Sequence, residues 1–167
     1  GRSADRLEEA LALAKDPELV TPVLCDVTNP HDVSRAVGLA LSDFGRLDCA
    51  FNNAGTFGRL GRLHEDDQDN FDLVVDTNLR GLWLCLKYQI PVMVAQGGGS
   101  IVNCASVAGH FGNAATAIYS ATKHAVIGLS KSAAMQYAGE GVRVNVVSPG
   151  GTETDMLRAL YGSEEAL

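Results

Sequence analysis

Long apolar runs are missing from this chain. No stretch reaches the roughly 18–20 residues a membrane span needs, and the first residues show no signal-peptide pattern, so no membrane partner is expected. Basic charge is scarce. The chain carries 13 Lys+Arg against 20 Asp+Glu, a formal net charge of −7, with no basic run and no basic–aromatic interleaving, which argues against nucleic acid and anionic lipid. Cysteine is sparse and scattered. Cys25, Cys49, Cys85 and Cys104 form neither a CxxC nor a Cys/His metal spacing; they read as small buried hydrophobes in a reducing, cytoplasmic compartment, and no metal site is expected. Alternating period-2 hairpin patterns and Asn-Gly turns are also absent.

What is present is a change of period along the chain. With 46% apolar and 20% charged residues, the 167 residues suit a single domain able to bury a core. Leu7, Ala10, Leu11 and Ala14 fall on one helical face over 5–15. The run "VTPVLCDV" (20–27) reads as a strand. A capped helix with an early proline follows, its apolar stripe running from Val33 to Phe44 and its stop at Gly45. "LDCAF" (47–51) reads as a strand, 69–95 as a long helix that Pro91 should kink or break. "GGGSIVNCAS" turns into a further strand, 115–138 is helical, and "VRVNVVS" (142–148) is a last strand. Helices alternating with strands that are apolar throughout predict an α/β domain, a doubly wound parallel sheet covered on both faces.

Each predicted strand ends in residues a plain core does not require: Asp26-Val27, "NNAG" (52–55), Ser106, and "SPGGTET" (148–154). Taken singly these are caps and turns. Together they line the carboxyl edge of a parallel sheet, where ligands bind. Tyr119 and Lys123 stand at i and i+4 on the next helix, with small residues between them. Such a pair is either a solvated couple or an acid/base pair. A tyrosine with its ordinary pKa of about 10 is a poor base, and lowering it by three units needs roughly 4 kcal/mol. One ammonium at about 4 Å supplies that order of energy at an effective dielectric near 20, so a lysine one turn away is the partner such chemistry needs.

"NNAG", Asn78 in "NLRG", Ser106, Tyr119-x-x-x-Lys123 and "PGGTET" together resemble the short-chain dehydrogenase/reductase family, over about residues 20 to 155. The resemblance implies a Rossmann-like fold and hydride transfer between NAD(P) and a secondary alcohol or ketone, a small-molecule substrate. It implies Tyr119 as acid/base, Lys123 as its cation, Ser106 bonding the substrate oxygen, and Asn78 ordering a water for proton relay. It places Asp26 and Val27 at the adenine, with Asn52, Ala54 and Gly55 along the adenosine and ribose. Tyr119 and Lys123 would also bond the nicotinamide ribose, and Pro149, Gly150, Thr152 and Thr154 would flank the nicotinamide. Position 152, more often a branched aliphatic in the family, is threonine here. His110 lies where the family often contacts substrate, or is a plain loop histidine; His31, His64 and His124 read as surface or packing residues, and the acidic 64–70 stretch as a solvated helix start. Family members assemble as homodimers or homotetramers through the equivalents of 66–95 and 117–138.

The family's glycine-rich fingerprint after a first strand is not in this sequence. The opening "GRSADRLEEA" resembles the point just past the family's second strand, and Leu167 falls within or just after the segment that usually lids the substrate. The 167 residues are therefore expected to be a partial Rossmann-like domain of a longer chain, incomplete at both ends. In the 3-2-1-4-5-6 strand order the segment 20–26 would then lack its neighbours and would not pair with 47–51. At the opening, Arg2 with no acid beside it favours NADP(H) over NAD(H), since an arginine suits a ribose 2′-phosphate. A ketoacyl-thioester reductase and a non-catalytic dinucleotide sensor or structural subunit stand as alternatives.

Overall fold

The computed structural model describes residues 1–161, with side chains through 158. Among the described residues three parallel strands make the sheet: β1 (Cys49–Asn52), β2 (Gly99–Cys104) and β3 (Val142–Val147), in that spatial order. Cys49 pairs with Ser100 and Asn52 with Asn103; Gly99 pairs with Val142 and Cys104 with Val147. Parallel neighbours need crossovers. These are α3 (Gln68–Val75) with α4 (Gly81–Ala95) between β1 and β2, and α5 (Ala117–Tyr137) between β2 and β3. The expected α/β fold with a parallel sheet is thus what the chain adopts.

Local chemistry sets the helix limits. α1 (Ala4–Ala12) begins at Ser3, whose side chain accepts from the Arg6 N–H. α2 (Pro30–Phe44) begins at Asn29, which accepts from the His31 N–H, and ends at Gly45, held left-handed at φ 77°. Asp67 caps α3 by accepting from the Asn70 N–H at 2.9 Å. The core lies between the sheet and α4/α5, where Met93, Ile101, Val126 and Val142 are all but fully buried.

Three expectations change. The run 20–27 is extended but joins no ladder: Gly1 is its backbone partner, through Gly1 N to Val23 O at 3.1 Å and Cys25 N to Gly1 O at 2.8 Å. It is not paired with β1, as the strand order requires. Among the described residues the sheet is covered on one face. Ile101, Val142 and Val144 point into the core while Phe51 and Val147, on the opposite side, are 62% and 41% exposed. Finally, of the two outcomes expected at Pro91, a kink or a break, the break does not occur: the helix continues to Ala95, and the proline lies on an exposed turn. The interruption lies earlier, in a wide π-type turn at Asp76–Arg80 between α3 and α4. Asn78 sits on it.

Candidate active site

The parallel strands bring their carboxyl ends to one rim. β1 delivers Asn53, Ala54 and Gly55, β2 delivers Ser106, and β3 delivers Ser148, Pro149 and Gly150. The rim is tied laterally: Ala105 N–H donates to Val147 O at 2.8 Å, and Val107 N–H to Pro149 O at 2.9 Å. Ser106 precedes a short 3-10 turn (Val107–Gly109), and its hydroxyl accepts from the Ala108 N–H at 3.1 Å.

α5 carries Tyr119 and Lys123 to this rim, 5% and 4% exposed. Lys123 Nζ donates to Cys104 O at 2.9 Å and stands 5.5 Å from the centre of the Tyr119 ring. Phe57 packs on Tyr119 with ring centres 4.4 Å apart, closing the phenol off from water. Burial dominates the electrostatics. It pushes the Tyr119 phenol above its ordinary value, while Ser106 beside it favours the ionised form. Burial pushes the Lys123 ammonium down. In the chain alone the phenol is therefore not held below its ordinary value: burial is the largest effect on it, and the Ser106 hydroxyl opposes that effect.

Asn78 joins two sides of the site. Its Oδ1 accepts from the Thr56 N–H at 2.8 Å, and its Nδ2 donates to Thr56 O at 2.9 Å and to Thr122 Oγ1 at 3.1 Å. A Cβ on Gly55 would lie 3.3 Å from Asn78 Oδ1 and 3.5 Å from Lys123 Nζ, so the "NNAG" backbone passes directly over both. The wide turn at 76–80 aims Asn78 inward, a use π-type turns often serve.

Beside this cluster lies a cavity of about 320 Å³ lined by Gly1, Val27, Asn52, Ala54, Asn78 and Cys104, among others. Its composition suits a nucleoside and ribose: backbone amides at a strand end, a small apolar wall and amide side chains. Val27 packs against Gly81, where a Cβ would meet Val27 Cγ2 at 2.7 Å. Asp26 bonds locally, its Oδ1 accepting from the Thr28 N–H and hydroxyl, both at 2.9 Å. Arg2 is exposed, next to Gly1 on the cavity wall. Asn52 turns its side chain inward, to Gln89 and Asn103. Thr154 caps α6 (Asp155–Tyr161), its hydroxyl accepting from the Leu157 N–H at 3.3 Å, and Thr152 is exposed on the loop before it. His110 reaches Ser148 Oγ at 3.1 Å, across the rim. No group of three or more His, Cys, Asp or Glu is placed to hold a metal among the described residues.

Sequence reasoning missed Thr56, Phe57 and Thr122, which hold or cover the named residues, the half-buried amide Gln89 and the buried amide Asn103. Asn103 alone left a signal, a polar residue inside an apolar strand.

The fold and this rim define a Rossmann-like α/β protein. The chain belongs to the short-chain dehydrogenase/reductase family: the family described as short chain dehydrogenase matches residues 1–165. It is 41% identical over 139 residues to a cyclohexanol dehydrogenase of Acinetobacter sp. (strain SE19), covering 83% of this chain and 55% of that protein. Among solved structures, ElxO with NADP bound superposes with a TM-score of 0.90 at 33% identity, over 99% of this chain and 67% of the other. NAD+-bound xylitol dehydrogenase does so with 0.89 at 33% identity, over 98% and 66%. The chain spans a little over half the length of the curated relatives it matches.

Proposed function

We propose that this chain is the catalytic part of an NAD(P)-dependent oxidoreductase acting between a secondary alcohol and a ketone. The convergence of Tyr119, Lys123, Ser106 and Asn78 at one buried rim carries the reading. A bound dihydronicotinamide supplies the hydride in the reducing direction. Ser106 donates a hydrogen bond to the carbonyl oxygen, where negative charge develops. Tyr119, neutral in its dry setting, gives its proton to that oxygen, and Lys123 stabilises the phenolate left behind. Asn78 holds the "NNAG" loop to α5 and orders the water that returns a proton. Oxidation runs the same groups in reverse.

The cavity wall at Val27, Asn52 and Ala54 supports a dinucleotide with its adenine toward Asp26 and Val27 and its ribose along the backbone at Asn52, Ala54 and Gly55; the family resemblance then puts Pro149, Gly150, Thr152 and Thr154 at the nicotinamide. Relatives are described with either cofactor bound; Arg2, next to Gly1 of the cavity wall, supports NADP(H) here. Four free thiols suit a cytoplasmic setting, and no helix among the described residues is long and apolar enough to cross a membrane. An apolar groove of about 580 Å³ between α3 and α5, lined by Phe71, Val75, Ala117 and Ala121 among others, supports a homodimer or homotetramer as the working assembly. In that case Ala121→Arg sediments as a monomer, and an unchanged particle removes the groove from the interface.

The deciding experiment is Tyr119→Phe in the full-length enzyme. NAD(P)H-linked reduction of a panel of ketones should fall by roughly 10²- to 10⁴-fold, the usual scale for loss of a positioned acid. Undiminished turnover eliminates the phenol as acid/base. Dinucleotide binding by the parent without turnover of any alcohol or ketone selects the sensor instead.

A further inference from the structure

Beneath the rim runs a chain of amides whose side chains take no part in the chemistry above. Asn103, in the middle strand, is 0% exposed, and Ser130, on α5, is 1% exposed. The Ser130 hydroxyl donates to Val126 O at 2.6 Å and accepts from Asn103 Nδ2 at 2.9 Å. Asn103 Oδ1 in turn accepts from Asn52 Nδ2 at 2.9 Å. Asn52 and Gln89 of α4 close an amide pair, Asn52 Nδ2 to Gln89 Oε1 at 3.0 Å and Gln89 Nε2 to Asn52 Oδ1 at 2.8 Å.

The direction of this chain is fixed from one end. The Val126 carbonyl can only accept, so Ser130 must donate to it and present its oxygen to Asn103. Asn103 must then turn its NH₂ to Ser130 and its oxygen to Asn52, which makes Asn52 the donor. Each amide is thereby held in one of its two flips. Stability does not explain the arrangement, because apolar groups of the same shape would fill the space about as well. A satisfied buried network instead specifies one geometry. Asn52 is the last residue of β1, and the next three residues carry the backbone over Asn78 and Lys123, where a Gly55 Cβ would come within 3.5 Å of the ammonium.

We propose that Asn103, Ser130 and Gln89 are positioning residues. They lock Asn52 and so set the height of the 53–55 backbone above Lys123 and along the cavity wall. The inference about cofactor affinity rests on the function proposed above; the inference about backbone order does not.

The test uses the full-length enzyme with Ser130→Ala, which leaves the Asn103 amide without its acceptor. Ser132→Ala is the control, since its hydroxyl makes the same bond to the carbonyl four residues back, Gly128 O at 3.1 Å, on the exposed side of α5. Hydrogen exchange of the 52–57 segment should speed roughly tenfold in Ser130→Ala, and the Kd for NADPH should rise by about the same factor, the scale of one orphaned hydrogen bond. The turnover number at saturating NADPH should stay within about twofold, and Ser132→Ala and the hydroxyl-keeping Ser130→Thr should resemble the parent. Exchange of 52–57 unchanged in Ser130→Ala overturns the proposal. So does a lowered melting temperature with an unchanged Kd, the mark of a purely structural role. A parent that binds neither NADPH nor NADH refutes the cofactor reading alone, and the exchange result still decides this one.

Discussion

Lys123 Nζ donates to the carbonyl of Cys104, the last residue of β2, two positions before Ser106. The bond fastens α5 to the strand end that bears Ser106, so the ammonium, the phenol and the hydroxyl are placed by one contact. It also draws the cation toward a carbonyl rather than leaving it wholly to Tyr119. Burial then prevails at the phenol, whose pKa lies above its ordinary value.

A difference titration reads that direction. Phenolate absorbance of the full-length enzyme without dinucleotide, minus that of Tyr119→Phe, should give a curve with its midpoint above the ordinary tyrosine value of about 10. The folded chain holds this proton more tightly than the unfolded chain does. The stability it contributes is therefore complete below about pH 10 and is lost as pH rises through the folded value. A midpoint below 10 in the dinucleotide-free enzyme would show that the cation outweighs desolvation after all.

Asn78 is 2% exposed, and it satisfies both backbone groups of Thr56. Asn78→Ala leaves the Thr56 N–H and C=O without their partner. Unfolding free energy from urea titration should drop by about 2–4 kcal/mol, the sum of lost bonds and an orphaned donor. A loss under 0.5 kcal/mol would mean that water replaces the amide freely and that Asn78 does not hold the loop.

Arg2 should matter for one cofactor and not the other. Arg2→Ala in the full-length enzyme is expected to raise the Kd for NADPH by roughly 10- to 100-fold, the worth of a charge-assisted bond, with NADH little changed. Equal effects on both dinucleotides, or none, remove Arg2 from the phosphate site.

Much of this was legible in the sequence, for identifiable reasons. The limits of α2 followed from its capping residue, its early proline and Gly45, whose side chains or φ act within a turn of themselves. Tyr119 and Lys123 were legible because the i, i+4 spacing fixes a shared face whatever surrounds it. What stayed hidden depends on partners far along the chain. An apolar run at 20–27 promises a strand, but a ladder needs a neighbouring strand, and Gly1 offers two backbone bonds in its place. The wide turn at 76–80 has no composition signature. Asn103 stood out in its strand, yet its partners Ser130 and Asn52 lie 27 and 51 residues away. The direction of the Tyr119 shift in the chain alone was hidden for the same reason: Coulomb attraction can be reckoned from spacing, while desolvation depends on how the folded chain buries the ring.

Two glycines separate packing from backbone freedom. A Cβ on Gly109 would stand 2.8 Å from the Lys123 carbonyl oxygen and 2.8 Å from Ile127 Cδ1. The isoleucine can swing aside, but the carbonyl is fixed in α5, so the turn after Ser106 must lift away from the helix that carries Tyr119. Gly109→Ala should cost about 1–3 kcal/mol in urea unfolding, as overpacking does, and should lower turnover at saturating substrates as well, because Ser106 moves with the turn. Gly38, on the exposed side of α2, where a Cβ would have no neighbour within 4 Å, should behave oppositely: Gly38→Ala gains about 0.5–1 kcal/mol from helix propensity and leaves turnover alone. If Gly109→Ala matches the parent in both measurements, the close seating of the Ser106 turn on α5 is wrong, and with it the shared placement of hydroxyl and phenol.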